Sequence, residues 1–140
     1  MVGRGTFVDG IERNIMPTNL GRRLLPCLFV RDMRETLEFY IEQLGFVQTG
    51  YYPIESDPLR TEVRRDDVAI IFFSDSPRAM MDAPACTGAF YIFPESVDRL
   101  ADELRGKVPF EWGPHETEFG LREFAIRDPN GYLLVFAEPA

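Results

Sequence analysis

His115, Glu116 and Glu118 are the densest grouping in this chain of side chains able to hold a metal or carry a proton. An imidazole titrates near neutrality, and Glu111 just upstream completes a conceivable acid–base set, so His115 and Glu111 are the proton carriers expected of any metal-free catalysis. The spacing is loose and the segment polar, which reads better as a solvated loop. Arg122 and Glu123 adjoin on a strand and so point to opposite faces. Arg122 has the chemistry to hold an anion, and a structural ion pair is the plainer expectation. Cys27 and Cys86 are the only cysteines and form no CxxC pair, so neither a zinc site nor a disulfide framework is expected. No cation sits beside Cys27 in sequence to activate it as a nucleophile. Trp112 suits either stacking on a flat ligand or core packing. Nucleophile-elbow, HExxH, Walker and GxGxxG patterns are absent from strand–helix contexts.

The elements that must position these groups repeat. Leu24 to Val30 reads as a strand. Asp32 and Glu35 open a helix, Met33, Leu37, Tyr40, Ile41 and Leu44 give it an apolar face, and Gly45 ends it. Phe46 to Tyr52 is a strand, Pro53 to Pro58 a loop, and Arg60–Arg65 with Val68–Phe73 a hairpin turning at Asp66-Asp67. Ser74 to Thr87, with Pro77 and Pro84, reads as a linker. The order then recurs: strand Ala89–Phe93, a helix capped by Ser96 with Val97, Leu100, Ala101 and Leu104 inward and Gly106 at its end, and strand Val108–Trp112. A hairpin follows, Leu121–Arg127 and Tyr132–Ala137, turning at Asp128-Pro129-Asn130-Gly131. The expected fold is α+β: two βαβββ modules, about 24–75 and 86–139, forming a curved mixed sheet around a cup with helices on the outer face. They make one domain over 21–140, behind an N-terminal arm over 1–20.

The chain has 140 residues and a formal net charge of -8. That balance argues against a phosphate-backbone partner and is compatible with a cationic ligand. No stretch approaches the roughly 18 apolar residues of a membrane span. The N-terminus has no signal-peptide pattern, so with two reduced thiols a cytoplasmic location is expected.

Val68–Phe73, Ala89–Phe93 and Tyr132–Ala137 are apolar at every position. A strand alternates sides, so both faces of each must leave water. Helices cover one face. A cavity, a bound ligand or a second subunit must cover the other.

VRDMRETLEFYIEQLGF (30–46), VRRDDVAIIFF (63–73) and GLREFAIRDPNGYLLVFAE (120–138) together resemble the glyoxalase, bleomycin-resistance and dioxygenase superfamily, the vicinal oxygen chelate proteins. The resemblance spans residues 24 to 138. It implies metal ligands on four strands, near Leu25, Ile71, Ala89 and Val135. None of these donates a lone pair, and one-residue shifts to Leu24 or Pro26, Ile70 or Phe72, Gly88 or Phe90, and Leu134 or Phe136 do no better. The chain is therefore similar to the metal-free branch, whose best-known members are acidic homodimers that sequester bleomycin-type antibiotics in aromatic grooves. If those four positions face the cup, parity adds Cys27, Phe29, Ala69, Phe73, Tyr91, Phe93 and Leu133.

The expectation is a homodimeric small-molecule-binding protein with no cofactor and no metal, taking an aromatic or cationic compound on Cys27, Phe29, Tyr51, Ile71, Phe73, Ala89, Tyr91, Phe93, Trp112 and Val135. The alternatives are a lyase, isomerase or dioxygenase of the same superfamily with a non-standard site, and a protein whose second sheet face packs on its twin.

Overall fold

The computed structural model describes residues 4–8, 11–21, 23–75 and 83–140. At the N-terminus, where the sequence reading placed only an arm, β1 (Arg4–Val8) and β2 (Ile11–Ile15) pair as an antiparallel two-stranded sheet. The sequence between them, Asp9-Gly10, favours two-residue hairpin connections and was the signal available.

The first module runs β3 (Cys27–Phe29), α1 (Met33–Leu37), β4 (Val47–Tyr52), β5 (Arg60–Arg65) and β6 (Val68–Phe73). The second runs β7 (Phe90–Ile92), α2 (Val97–Leu104), β8 (Trp112–Glu116), β9 (Leu121–Arg127) and β10 (Leu133–Pro139). Each forms its own four-stranded sheet, ordered β3-β6-β5-β4 and β7-β10-β9-β8. In both, the first strand lies parallel to the last and the other pairings are antiparallel.

Three elements differ from expectation, each for a local reason. The first strand begins at Cys27 rather than Leu24. Pro26 has no N–H to donate and contributes only its carbonyl, 2.9 Å from Ile71 N. α1 is capped as predicted, the Glu35 N–H donating to Asp32 Oδ1 at 3.0 Å, but it widens into π-helical turns over Glu38–Gln43. Leu44 N donates to Phe39 O rather than four residues back. That rotates the buried face, so Phe39 joins Met33, Tyr40 and Leu44 in the core while Leu37 and Ile41 are only half-buried. The strand expected over Val108–Trp112 starts at Trp112. Pro109 cannot serve a sheet ladder, and Val108 is instead buried in the core with Phe110 packed against it.

α2 forms as predicted, with Arg99 N donating to Ser96 Oγ at 3.3 Å and Val97, Leu100, Ala101 and Leu104 buried. The helix-side faces of both sheets share one core, with Val63, Ile70 and Phe72 from one module and Phe124, Ile126, Leu134 and Phe136 from the other. Polar clamps cross between the modules. Tyr40 OH donates to Asp128 Oδ2 at 2.9 Å, Tyr132 OH to Phe29 O at 2.6 Å, and Asn130 Nδ2 to Thr36 Oγ1 at 3.0 Å. The Arg65–Glu103 ion pair adds a fourth at 3.0 Å. The opposite face of each sheet contributes nothing to this core cluster, and these two faces are the cup surfaces. Among the described residues no helix is long and apolar enough to cross a membrane.

Candidate functional site

In the first module, pairing register puts Cys27 beside Ile71 and Phe29 beside Phe73, and the Phe29 and Phe73 rings meet edge-on at 5.6 Å. Four of the expected contact residues therefore share one surface. Tyr51 does not. It pairs with Thr61, whereas Tyr52 pairs with Arg60, which in turn pairs with Phe73. Tyr52 is thus the cup-facing tyrosine, and Tyr51 lies on the opposite face of β4.

The same register reveals a polar row that sequence reading passed over. Arg60, Glu62 and Arg64 of β5 face the cup opposite Phe73, Ile71 and Ala69. The Arg60 guanidinium lies over the Phe73 ring, 5.7 Å from its centroid, and 3.4 Å from Asp75 Oδ1. Thr49 Oγ1 donates to Glu62 Oε2 at 2.6 Å, and Arg64 stands 3.7 Å from the same oxygen. Every charge in this row has an opposite charge within reach.

In the second module, Tyr91, Val135, Ala125 and Trp112 form one row across all four strands. Tyr91 and Phe93 remain 45% and 63% exposed, with rings 6.4 Å apart, and Ala89 lies half-buried just before β7. Phe93 also forms part of the wall of a cleft of about 580 Å³, whose other walls, including Leu44, Arg65, Leu100 and Phe136, belong to the helix side.

The neighbouring row carries Ala137, Glu123 and His115. His115 is therefore on a strand, not in the expected loop. It is exposed, and it stands opposite Glu123 rather than among Glu116 and Glu118. The displacement follows from Gly113-Pro114, which bulges β8 so that the ladder skips from Trp112 to His115. Gly113 has φ +79° and lies against the β9 backbone, where a Cβ would collide with Glu123 O and fall 2.9 Å from Phe124 Cα.

Glu123 is the residue sequence reading undervalued. It is 4% exposed. Its Oε1 accepts the Trp112 indole N–H at 3.2 Å, and its Oε2 has no hydrogen-bond partner. The Tyr91 phenol is raised above its ordinary pKa, first by desolvation, then by the charge and accepting capacity of Glu123. Arg122, on the other face as expected, is engaged with Asp98 of α2, Nη2 to Oδ1 at 2.8 Å. Glu111 pairs with Arg127 at 3.5 Å and is remote from His115 in register. The signal for Glu123 was present: the Asp128–Gly131 turn sets the β9–β10 register, which puts Glu123 on the face of Val135.

A paired βαβββ architecture with two mixed four-stranded sheets around one shared core defines a recognisable class. The family model for the glyoxalase/bleomycin resistance protein/dioxygenase superfamily matches residues 23–136, and the chain belongs to that superfamily. No curated protein matches the chain. Among solved structures it is similar to TnmS3, an antibiotic-binding protein from Streptomyces sp. CB03234, at 20% identity and a TM-score of 0.71 over 89% of this chain and 100% of that one. It is also similar to TioX from Micromonospora sp. ML1, at 13% identity and a TM-score of 0.68 over 86% and 100% of the two chains. Virulence protein STM3117 from Salmonella typhimurium matches at 20% identity and a TM-score of 0.66 over 88% and 100%. At these identities the likeness is one of fold.

The metal that many members of this fold carry does not suit the residues present. The positions that the resemblance implies for its ligands, near Leu25, Ile71, Ala89 and Val135, hold side chains with no lone pair to offer, and Leu25 and Ala89 precede β3 and β7 rather than lying on them. Among the described residues no three His, Cys, Asp or Glu side chains converge on a common point.

Proposed function

We propose that this chain is a metal-free small-molecule-binding protein of the superfamily, a cytoplasmic homodimer that holds an aromatic or cationic compound, such as an antibiotic, against its cup faces. The observation that carries this reading is the second cup face. Tyr91 stands open to solvent on the sheet whose buried carboxylate and half-buried tryptophan lie alongside, and Phe93 is exposed just past the end of its strand. Large aromatics left bare around a few polar groups suit a ligand surface. The fold shared with TnmS3 supports the same class of activity. Cys27, Phe29, Ile71 and Phe73 supply the corresponding wall of the first module, with Tyr52 in place of Tyr51.

The test has two arms. A thermal-shift screen with planar aromatic and cationic compounds should raise the melting temperature, since a ligand held only by the folded state stabilises it; one present at a hundred times its Kd contributes about 2.7 kcal/mol. Metal analysis of protein purified without chelator should find less than stoichiometric metal. Stoichiometric Zn, Ni, Mn or Fe would replace the binding-protein reading with a metalloenzyme. Light scattering should return twice the chain mass, and a monomer that binds ligand would remove the homodimer from the proposal.

A further inference from the structure

We propose that Glu123 is the counter-ion for a protonated nitrogen of the bound molecule, which narrows the ligand class to aromatic amines and amidines. This rests on the binding reading above and goes beyond it by naming the group that selects charge.

The argument is one of unsatisfied charge. A carboxylate removed from water is costly unless paired. The other charged groups of the two central cup rows have partners: Arg60 with Asp75, Arg64 and Thr49 with Glu62, and Arg127 with Glu111 and the Gly131 carbonyl. Glu123 alone among them is more than nine-tenths buried, with one oxygen unpartnered among the described residues. His115, its register partner, makes no ion pair with it. The Trp112 indole donates to Oε1, while Oε2 is closed off from solvent and has no hydrogen-bond partner among the described residues, so a ligand must open the cup surface to reach it. The groups beside that carboxylate are the Trp112 indole N–H and the Tyr91 phenol. An ammonium or amidinium donating to Oε2 would neutralise the charge, and the adjoining aromatic side chains would pack on the rest of the ligand. A neutral aromatic would stack there but leave the carboxylate stranded.

Two probes of one ring shape separate the contributions: 9-aminoacridine, a cation at neutral pH, and acridine, neutral there. Calorimetric titration of the full chain is expected to show 9-aminoacridine binding at least tenfold tighter than acridine at pH 7.5. Glu123→Gln keeps an oxygen for the Trp112 N–H and should abolish the preference, weakening 9-aminoacridine at least tenfold more than it weakens acridine. Acridine binding without any preference for the cation in wild-type protein refutes the counter-ion and leaves the binding reading standing. Failure of both probes to bind overturns the aromatic-ligand reading and the counter-ion with it. If E123Q weakens both probes equally, Glu123 is structural. If E123Q dissociates a dimer and the preference persists, the carboxylate faces a second copy. Either result overturns the proposal, and the absence of a cation preference in wild-type protein overturns it even if the variant does not fold.

Discussion

Replacing Tyr40 with Phe removes one buried hydroxyl whose acceptor, Asp128 Oδ2, is otherwise approached only by Asn130 Nδ2 at 3.4 Å among the described residues. Tyr40 is fully buried and its ring packs against Phe39, Phe46 and Phe72, contacts that Phe would keep. The change therefore isolates the 2.9 Å bond to Asp128 Oδ2, which ties the helix of one module to the β9–β10 turn of the other. A hydrogen bond to a charged group contributes roughly 1.5–3 kcal/mol. Asp128 keeps the Asn130 and Tyr132 N–H groups on Oδ1, at 2.8 and 2.9 Å, so its charge is not left bare. The lower part of the range follows: a loss of about 2 kcal/mol, or a Tm lower by about 6 °C for a chain of this size. Burial raises the Asp128 carboxyl above its usual pKa, while its hydrogen bonds, Tyr40's among them, pull it back. An acid raised on folding binds its proton more firmly in the native state, so its charge burdens stability most above the folded pKa. Without the Tyr40 hydroxyl that pKa rises further. The gap between wild type and Y40F is thus widest at neutral pH and narrows as pH falls through the Asp128 transition. Urea unfolding followed by circular dichroism and Trp112 fluorescence measures it. A loss below about 0.5 kcal/mol at pH 7, or one independent of pH, would refute the reasoning.

Gly113→Ala should leave little folded protein, because φ +79° strains any L side chain and the new Cβ meets the β9 backbone; native-like circular dichroism and unchanged Tm would contradict this. Trp112→Phe takes away the indole N–H that donates to Glu123 and should cost about 1–3 kcal/mol in urea unfolding, less in the E123Q background where no charge is stranded. A full loss in that background would place the effect in ring packing. Cys27 and Cys86 are both free and exposed, so a thiol reagent should titrate two groups without denaturant. Saturation with a cup ligand should slow labelling of Cys27 and spare Cys86; equal protection of both would move the ligand off the first cup face.

Much of the fold was legible because its signals are local. Asp32 and Ser96 cap the helices where their side chains predict, and the Asp66-Asp67 and Asp128–Gly131 turns join the hairpins read from alternation and turn chemistry. What was not legible depended on which backbone groups lacked a partner. Pro26 and Pro109 could have been read as strand limits, since each lacks an N–H. The π turns of α1 could not, because only the tertiary fit of Phe39 and Tyr40 against the sheet rewards the wider register.

The candidate site divides along the same line. Reading the apolar strands named Cys27, Phe29, Ile71, Phe73, Tyr91 and Val135, and the register puts all six on the cup faces, where the runs Val68–Phe73 and Tyr132–Ala137 are apolar on either side. It did not find Arg60, Glu62, Arg64 or Glu123, since on a mixed strand a charge belongs to solvent or to the cup according to a single step of register. That step is set by partners: β5 by the turn to β6, and β9 by the turn to β10. The consequence is functional. Strands β6 and β10 line the cup faces with apolar side chains, while β5 and β9 carry their charge, and among the described residues of these strands only Glu123 keeps a buried oxygen without a partner. On the proposal above, flat apolar bodies would pack against β6 and β10 and be discriminated by what Glu123 meets.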